Sequence, residues 1–233
     1  MPVVPPSAPY ADYMQLSTLL SLQRPHQDRA HPDELLFQTV HQVAELLLHA
    51  ATDDIVRAGT QLTMRRPAAA EHLTARAAAI IDVATAALRL LARLPLRDYH
   101  TLRLAMGTST AAASPGWRMI RRAAVRLGEH FDGFVTRSGV NLADVYWHGE
   151  PAEVHRLAEA MVDLDTTIAA WRFHHHLVAA RLVGADATGT GGMPVQALAA
   201  AAQQRMFDQL WQVRVQLTGR ADGTAATGRG EQP

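Results

Sequence analysis

Hydrophobic positions along the chain recur at the three- and four-residue intervals of amphipathic helices, and no stretch alternates with period two between turn residues. The preference for Ala, Leu and Arg, with only 6% aromatic residues, also favours helix over strand. We therefore predict an all-α fold in a single domain. The predicted helices are 11–22, 34–48 after Asp33 as a cap, 67–91 with Pro67 in the first turn, 99–106, 117–127, 151–183 and 194–217.

Glycine-rich stretches interrupt this helical pattern. Residues 128–149 are rich in turn residues and allow no assignment, while residues 188–192 form a loop between the last two helices. Residues 218–233 contain Gly, Thr and Arg but little that a core would bury. The sequence therefore predicts a helical domain over residues 1–217 and a disordered C-terminal tail over residues 218–233.

The composition of the chain excludes several kinds of chemistry and argues against several kinds of binding partner. The chain has 233 residues and equal numbers of basic and acidic residues, 22 of each, so no net charge attracts nucleic acid or an anionic membrane. All the basic residues are Arg, which excludes a lysine Schiff base. The absence of Cys excludes disulfides, iron–sulfur clusters and thiolate ligands. Without a signal-like segment or a long uncharged apolar run, a cytoplasmic location and no membrane partner are expected.

Histidine is then the main candidate for metal chemistry, and three of the 12 histidines are consecutive, at residues 174–176. Neighbouring residues of a helix diverge by about 100°, so the three cannot bind one ion together. At most one points into a core, where it can serve as an axial haem ligand. The alternative is a partly exposed surface patch.

Two aromatic–polar pairs lie at helical i,i+4 spacing. Phe37 and His41 share one helix face, which Glu45 continues, and Tyr99 and Arg103 share another. Both pairs suit an active site, but the spacing by itself favours the alternatives: a core Phe beside a satisfied His, and an Arg on a solvated helix face.

The loop over residues 189–192 can bring backbone close to a ligand. It has no Lys after it and follows a helix, so it is neither a Walker loop nor a dinucleotide-binding turn. The alternative is a flexible connector.

Several stretches, in this order, resemble signature segments of the tryptophan 2,3-dioxygenase family, which belongs to the haem-dependent aromatic oxygenases. They cover most of the chain. The stretches are YADYMQLSTLLSLQRP at 10–25, DELLFQTVHQVAEL at 33–46, WRFHH at 171–175, GTGG at 189–192 and FDQLWQVR at 207–214.

This resemblance implies an all-helical fold with haem b bound between core helices, O2 as co-substrate and an aromatic amino acid as substrate. It implies His175 as the proximal haem ligand and His41 as the distal, catalytic residue beside the indole N–H. A homotetramer or dimer is implied, with no nucleic acid or membrane partner. The implied substrate-binding residues are Phe37, Tyr99, Arg103, Thr110, Thr190, Tyr10 and Tyr13.

The implied activity is oxidation of the indole C2–C3 bond of L-tryptophan or a substituted tryptophan to an N-formylkynurenine-type product. The chain departs from the family after Arg103, where residues 106–114 replace a segment close to SSGFQS and Thr110 stands for a serine, and it is shorter between residues 110 and 163. These departures leave open a monooxygenase that forms a 2-oxindole or a ring-hydroxylated amino acid in a natural-product pathway. A haem sensor is a third alternative, but the retained Arg103 and His41 argue against it.

Overall fold

The computed structural model describes residues 9–107, 114–189 and 192–228, with side chains up to Asp222. The described residues form ten α-helices and no strand. The helices are α1 (Pro9–Tyr13), α2 (Leu16–Ser21), α3 (Glu34–Thr63), α4 (Pro67–Leu88), α5 (Leu96–Met106), α6 (Pro115–Ser138), α7 (Leu142–His148), α8 (Ala152–Val183), α9 (Val195–Ala202) and α10 (Asp208–Gly228). The all-α prediction is confirmed.

Four long helices, α3, α4, α6 and α8, build the core and make the most extensive contacts with one another. Helix α3 is longer than the sequence pattern suggested, because its apolar stripe continues beyond Leu48. Buried residues along α3 alternate at intervals of three and four, the spacing of helices that pack nearly side by side. They are Leu48, Ala51, Ile55, Ala58 and Leu62.

Alanine lets these helices approach closely. Ala70, Ala77 and Ala84 lie at seven-residue intervals on the inner face of α4, and all three are fully buried. A methyl side chain occupies little space between two backbones, so the large side chains of facing helices can interdigitate around it. These three alanines therefore let α4 pack closely against its neighbours α3 and α8.

Helix α8 carries two charged residues in its buried stripe. The stripe follows the same three- and four-residue spacing, and its members are Val154, Ala158, Met161, Asp165, Ile168 and Arg172. A charged side chain is costly to bury unless its hydrogen-bonding groups are satisfied. Both charges face the connection between α9 and α10, and this connection satisfies them.

The backbone from Ala201 to Trp211 folds around these two side chains. Arg172 donates to the carbonyls of Ala201 and Gln204 at 3.1 and 2.9 Å. The Asp165 carboxylate accepts from the backbone N–H of Met206 at 3.0 Å and from the Trp211 indole N–H at 2.7 Å. The predicted single helix over residues 194–217 is therefore wrong, because the break between α9 and α10 supplies the polar groups that these charges require.

The predicted helix over residues 11–22 is divided into α1 and α2, with Gln15 between them at a positive φ. The ends of α6 and α10 also differ from the sequence prediction. Helix α6 continues to Ser138, through the stretch that the glycines left unassigned, since Phe131 and Phe134 anchor it in the core. Helix α10 continues beyond residue 217 to Gly228, into the predicted tail. Arg220 explains this extension, because it lies 4.2 Å from the Trp147 ring centroid and pairs with Asp144 at 3.8 Å.

Side chains of α3 attach the N-terminal segment to the bundle. Gln23 donates to the side chain of Gln42 at 2.8 Å, and the Arg24 backbone N–H donates to the side chain of Gln38 at 2.9 Å. Helices α1 and α2, which precede this attachment, contain no buried residue. Among the described helices, none has both the length and the apolar character needed to span a bilayer.

Replacing Asp165 with Ala is expected to lower the free energy of unfolding by about 3 kcal/mol, because several buried N–H donors lose their acceptor. Urea unfolding of the variant measures this loss. Asp163→Ala, at an exposed position of the same helix, is the control and is expected to change stability by less than about 0.5 kcal/mol. Equal losses in the two variants would contradict the role assigned to Asp165.

Candidate active site

Two cavities adjoin helix α8, and Trp171 and His175 line both. The first, of about 280 Å³, lies toward α9 and is also lined by Tyr99, Trp117, Arg121 and Arg172. The second, of about 240 Å³, lies toward α3 and is also lined by His41, Glu45, Ser114 and Pro115. We call them the α9-side and α3-side cavities.

The three consecutive histidines have different surroundings in the structure. Nδ1 of His176 lies 3.2 Å from the carbonyl of Val195, and His174 faces Asp82 and Arg89. Among the described histidines of this run, only His175 lines the cavities, and within the described residues it has no hydrogen-bond partner. Burial, with smaller contributions from the nearby His41 and His176, lowers the pKa of His175 to about 4. The ring is therefore neutral at pH 7, the form in which imidazole binds a metal.

His41 faces the α3-side cavity with a defined tautomer. Its Nδ1 lies 2.7 Å from the carbonyl of Phe37, one helical turn earlier. A carbonyl only accepts, so Nδ1 carries the proton and, in the neutral ring, Nε2 is the acceptor. Burial lowers the pKa of His41, against the smaller opposing effects of the Phe37 carbonyl and the Glu45 charge. The neutral form with a free acceptor nitrogen is thereby favoured.

A stack of aromatic rings connects helix α6 to the cavity walls. The rings of Trp117 and Trp171 stack with centroids 4.5 Å apart and planes inclined by 16°. The Trp171 ring is in turn 5.4 Å from that of His175. Trp171 is only 9% exposed, yet its indole N–H has no hydrogen-bond partner among the described residues. A buried unpaired donor is costly, so this N–H marks a place for a ligand acceptor.

Two guanidinium groups with different surroundings also line the α9-side cavity. Arg172 is 5% exposed, and burial followed by the charge of Arg121 lowers its pKa. It is fixed by backbone carbonyls and lies 5.0 Å from the Trp117 ring centroid. Arg121 has no hydrogen bond or ion pair within the described part of the chain, so its charge is available to an anionic ligand.

Tyr99 and Arg103 lie at the edge of this region. Tyr99 lines the α9-side cavity, and its ring centroid is 6.4 Å from that of Phe37. Burial raises the pKa of Tyr99, while the charge of Arg103 partly opposes the shift. Arg103 donates from Nη2 to the carbonyl of Thr188 at 3.0 Å, which ties α5 to the loop before Gly189.

The predicted site residues therefore divide into three groups. The structure brings His41, Tyr99 and His175 to the walls of the two cavities, with Phe37 beside His41 and Arg103 near Tyr99. Tyr10 and Tyr13 are 66% and 84% exposed on α1, away from the cavities. Thr110 and Thr190 lie outside the described residues.

Sequence reasoning named neither Trp117, Trp171, Arg121 nor Arg172 as site residues. A signal for Arg172 existed, because a charged residue stands in the apolar stripe of α8, one heptad after Asp165. No comparable signal marks Arg121 or Trp117, whose contributions depend on how α6 meets α8.

Comparison with known proteins shows which proteins this chain is similar to. Residues 121–217 match the family model for tryptophan 2,3-dioxygenase, a stretch that includes Trp171, Arg172 and His175. Curated tryptophan 2,3-dioxygenases match most of the chain. The chain is therefore similar to tryptophan 2,3-dioxygenases over most of its length.

Two relatives show how far this chain diverges from the tryptophan 2,3-dioxygenases that it resembles. The tryptophan 2,3-dioxygenase of Caulobacter vibrioides is 28% identical over 260 aligned residues, covering 89% of this chain and 98% of the relative. That of Ruegeria pomeroyi is 27% identical, covering 88% of this chain and 91% of the relative. The alignments are longer than the 233 residues of this chain, so the tryptophan 2,3-dioxygenases carry segments that it lacks.

Replacing Trp171 with Phe is expected to leave the stability of the haem-free protein unchanged, or to raise it by up to about 1 kcal/mol, because the change removes an unpaired buried N–H and keeps the aromatic stack. Trp211→Phe is the matched control, and it is expected to cost about 2 kcal/mol because that indole donates to Asp165. Urea unfolding compares them. A loss at Trp171 equal to that at Trp211 would show that the Trp171 N–H is paired.

Proposed function

We propose that this protein is a haem-dependent oxygenase that uses O2 to oxidise the C2–C3 bond of the indole ring of L-tryptophan or a substituted tryptophan, giving an N-formylkynurenine-type product. The observation that carries the proposal is the pair of neutral imidazoles at the adjoining cavities. His175 has no hydrogen-bond partner among the described residues, and His41 keeps an acceptor nitrogen toward the α3-side cavity.

The residues around His175 fit haem b. A neutral imidazole with unoccupied nitrogens is a suitable axial ligand for iron. The Trp171 indole N–H is buried without a described partner, and the Arg121 guanidinium has no described ion pair, so one donor and one cation are available for the carboxylates of a porphyrin. When bound, haem supplies the activation of O2, and the protein supplies binding and orientation.

His41 is suited to orient the substrate. Its Nδ1–H donates to the Phe37 carbonyl, so Nε2 can accept a hydrogen bond from an indole N–H. The indole N–H is only weakly acidic, so His41 acts by holding the ring in place and need not remove the proton. The Phe37 ring, 4.3 Å from that of His41, provides an apolar wall beside it.

Arg103 is assigned to the substrate carboxylate, because a planar guanidinium can form two parallel hydrogen bonds with it. Its side chain already reaches the loop at Thr188, where an amino-acid backbone would lie between α5 and that loop. Tyr99, beside Arg103, separates this polar region from the α9-side cavity. Thr110 and Thr190 complete the predicted contacts with the amino acid.

The N-terminal segment is assigned to a second subunit of a homo-oligomer. Tyr10 and Tyr13 are exposed, and so are Leu20 and Leu22, while the segment is held to its own chain only from Gln23 onward. Exposed apolar residues on such an arm suit burial against another copy of the chain. A cytoplasmic location belongs to the same proposal.

The first experiment adds L-tryptophan and O2 to the reduced, haem-loaded protein and determines the product by mass spectrometry. We expect a gain of two oxygen atoms and the absorbance of an opened indole ring. A gain of one oxygen atom would overturn the dioxygenase assignment in favour of a monooxygenase. No product from tryptophan or substituted tryptophans would overturn the proposed substrate class.

In the same assay, Arg103→Gln is expected to weaken tryptophan binding by about 2–4 kcal/mol, since a charge-assisted clamp is lost. Arg97→Gln, at an exposed position of the same helix, is the control and leaves binding unchanged. Equal affinities of the wild type and the Arg103 variant would remove Arg103 from the substrate site.

Replacing His175 with Ala is expected to abolish stable haem uptake, measured as haem absorbance after gel filtration. His174→Ala and His176→Ala are the controls, and both are expected to retain haem because these rings face other parts of the fold. Full haem absorbance in the His175 variant would place the axial ligand elsewhere.

A further inference from the structure

Glu45 connects the helix of His41 to the first turn of α6. It lies one turn after His41 on α3 and lines the α3-side cavity. One carboxylate oxygen accepts from the hydroxyl of Ser114, and the other accepts from the backbone N–H of Gly116 at 2.8 Å. Both oxygens of a single side chain thus hold the residues at which α6 begins.

The sequence at this helix start requires such an acceptor from outside the helix. Pro115 occupies the first turn of α6 and has no backbone N–H, so the first N–H that needs a partner belongs to Gly116. The Ser114 hydroxyl accepts from the next N–H, that of Trp117, at 3.1 Å. The Glu45 charge also lies at the positive end of a 24-residue helix, where an anion is favourable.

Gly116 shows that the contact is close. A Cβ atom at this position would lie 2.7 Å from Oε2 of Glu45 and 2.9 Å from Cβ of Leu48. Neither neighbour can easily withdraw, because Leu48 is a core residue and Oε2 is held by the Gly116 N–H. The backbone of α6 therefore begins directly against α3, with no space for a side chain.

Two parts of the site depend on where α6 begins. Ser114, which lines the α3-side cavity, is held there by Glu45. Trp117, on the first turn of α6, places its ring against Trp171, which lines both cavities. A shift of this helix start would move both Ser114 and the aromatic wall relative to His41.

We propose that Glu45 is a positioning residue: through Ser114 and Gly116 it holds the start of α6, and with it the Trp117 ring, in the position that orients the substrate ring beside His41. This inference rests on the proposed function. It assigns to Glu45 no proton transfer and no direct contact with the substrate.

The test uses Glu45→Ala, Ser114→Ala, the double variant and the conservative Ser114→Thr. In the haem-loaded protein we expect each alanine variant to lower kcat with tryptophan by about 10- to 100-fold, and to lower the fraction of consumed O2 that appears in product, at unchanged haem content. Because both changes remove the shared Glu45–Ser114 hydrogen bond, the double variant should lose less than the product of the two single losses. Ser114→Thr keeps the hydroxyl and should retain the wild-type fraction.

A purely structural role would give a different result. It would lower haem content and melting temperature while the remaining holoenzyme kept its wild-type yield of product per O2, and that outcome overturns the proposal. Multiplicative losses in the double variant also overturn it. Glu129→Gln, at an exposed position of α6 without a described partner, is the control and should behave as wild type.

A second readout needs neither haem nor turnover, so it separates this proposal from the proposed function. Near-ultraviolet circular dichroism of the haem-free protein reports the Trp117–Trp171 stack. Glu45→Ala and Ser114→Ala should lose most of the tryptophan signal while far-ultraviolet helicity stays constant, and Glu129→Gln should keep it. An unchanged tryptophan signal in both alanine variants overturns the positioning role, even if wild-type turnover fails and the proposed function falls.

Discussion

Two buried charges on helix α8 need hydrogen-bond partners, and the rest of this structure depends on that constraint. Asp165 is fully buried and Arg172 is 5% exposed, one heptad apart in a stripe that is otherwise apolar. Neither can stay in the core without hydrogen-bond partners. The backbone between α9 and α10 supplies those partners, so this segment has to cross α8 where it does. The α9-side cavity is bounded on one side as a consequence.

A second carboxylate holds a helix end on the other side of the site. Asp165 accepts from backbone N–H groups just before α10, and Glu45 accepts from the N–H of Gly116 in the first turn of α6. In both cases a carboxylate on one long helix satisfies donors at the start of another. These contacts fix helix ends at the two walls of the site, and the Trp117–Trp171 stack lies between them. The neutral His175 ring is thus held next to rigid neighbours.

Much of the fold could be predicted from periodicity, and the failures have definite causes. Helix α8 was predicted almost to its bounds, since its apolar stripe is long and Gly184 ends it. The break between α9 and α10 was missed because that stretch is rich in helix-forming Ala and Gln, and the reason for the break lies on α8. The sequence does not predict that α6 continues through Gly128 and Gly133, because glycine disfavours a helix. In the structure, the burial of Phe131 and Phe134 outweighs that preference.

By itself the sequence determined the helical class, the exclusion of thiolate and lysine chemistry, and the i,i+4 pairing of Phe37 with His41, because these depend on composition and on spacing within one helix. It also contains, in order, stretches that resemble signature segments of tryptophan 2,3-dioxygenases. Only the tertiary structure decided which of three consecutive histidines faces the cavities and which carboxylates hold the helix ends around them. Those outcomes depend on contacts between residues far apart in the chain, such as Glu45 with Gly116 and Asp165 with Trp211. Spacing along a single helix contains no information about such contacts.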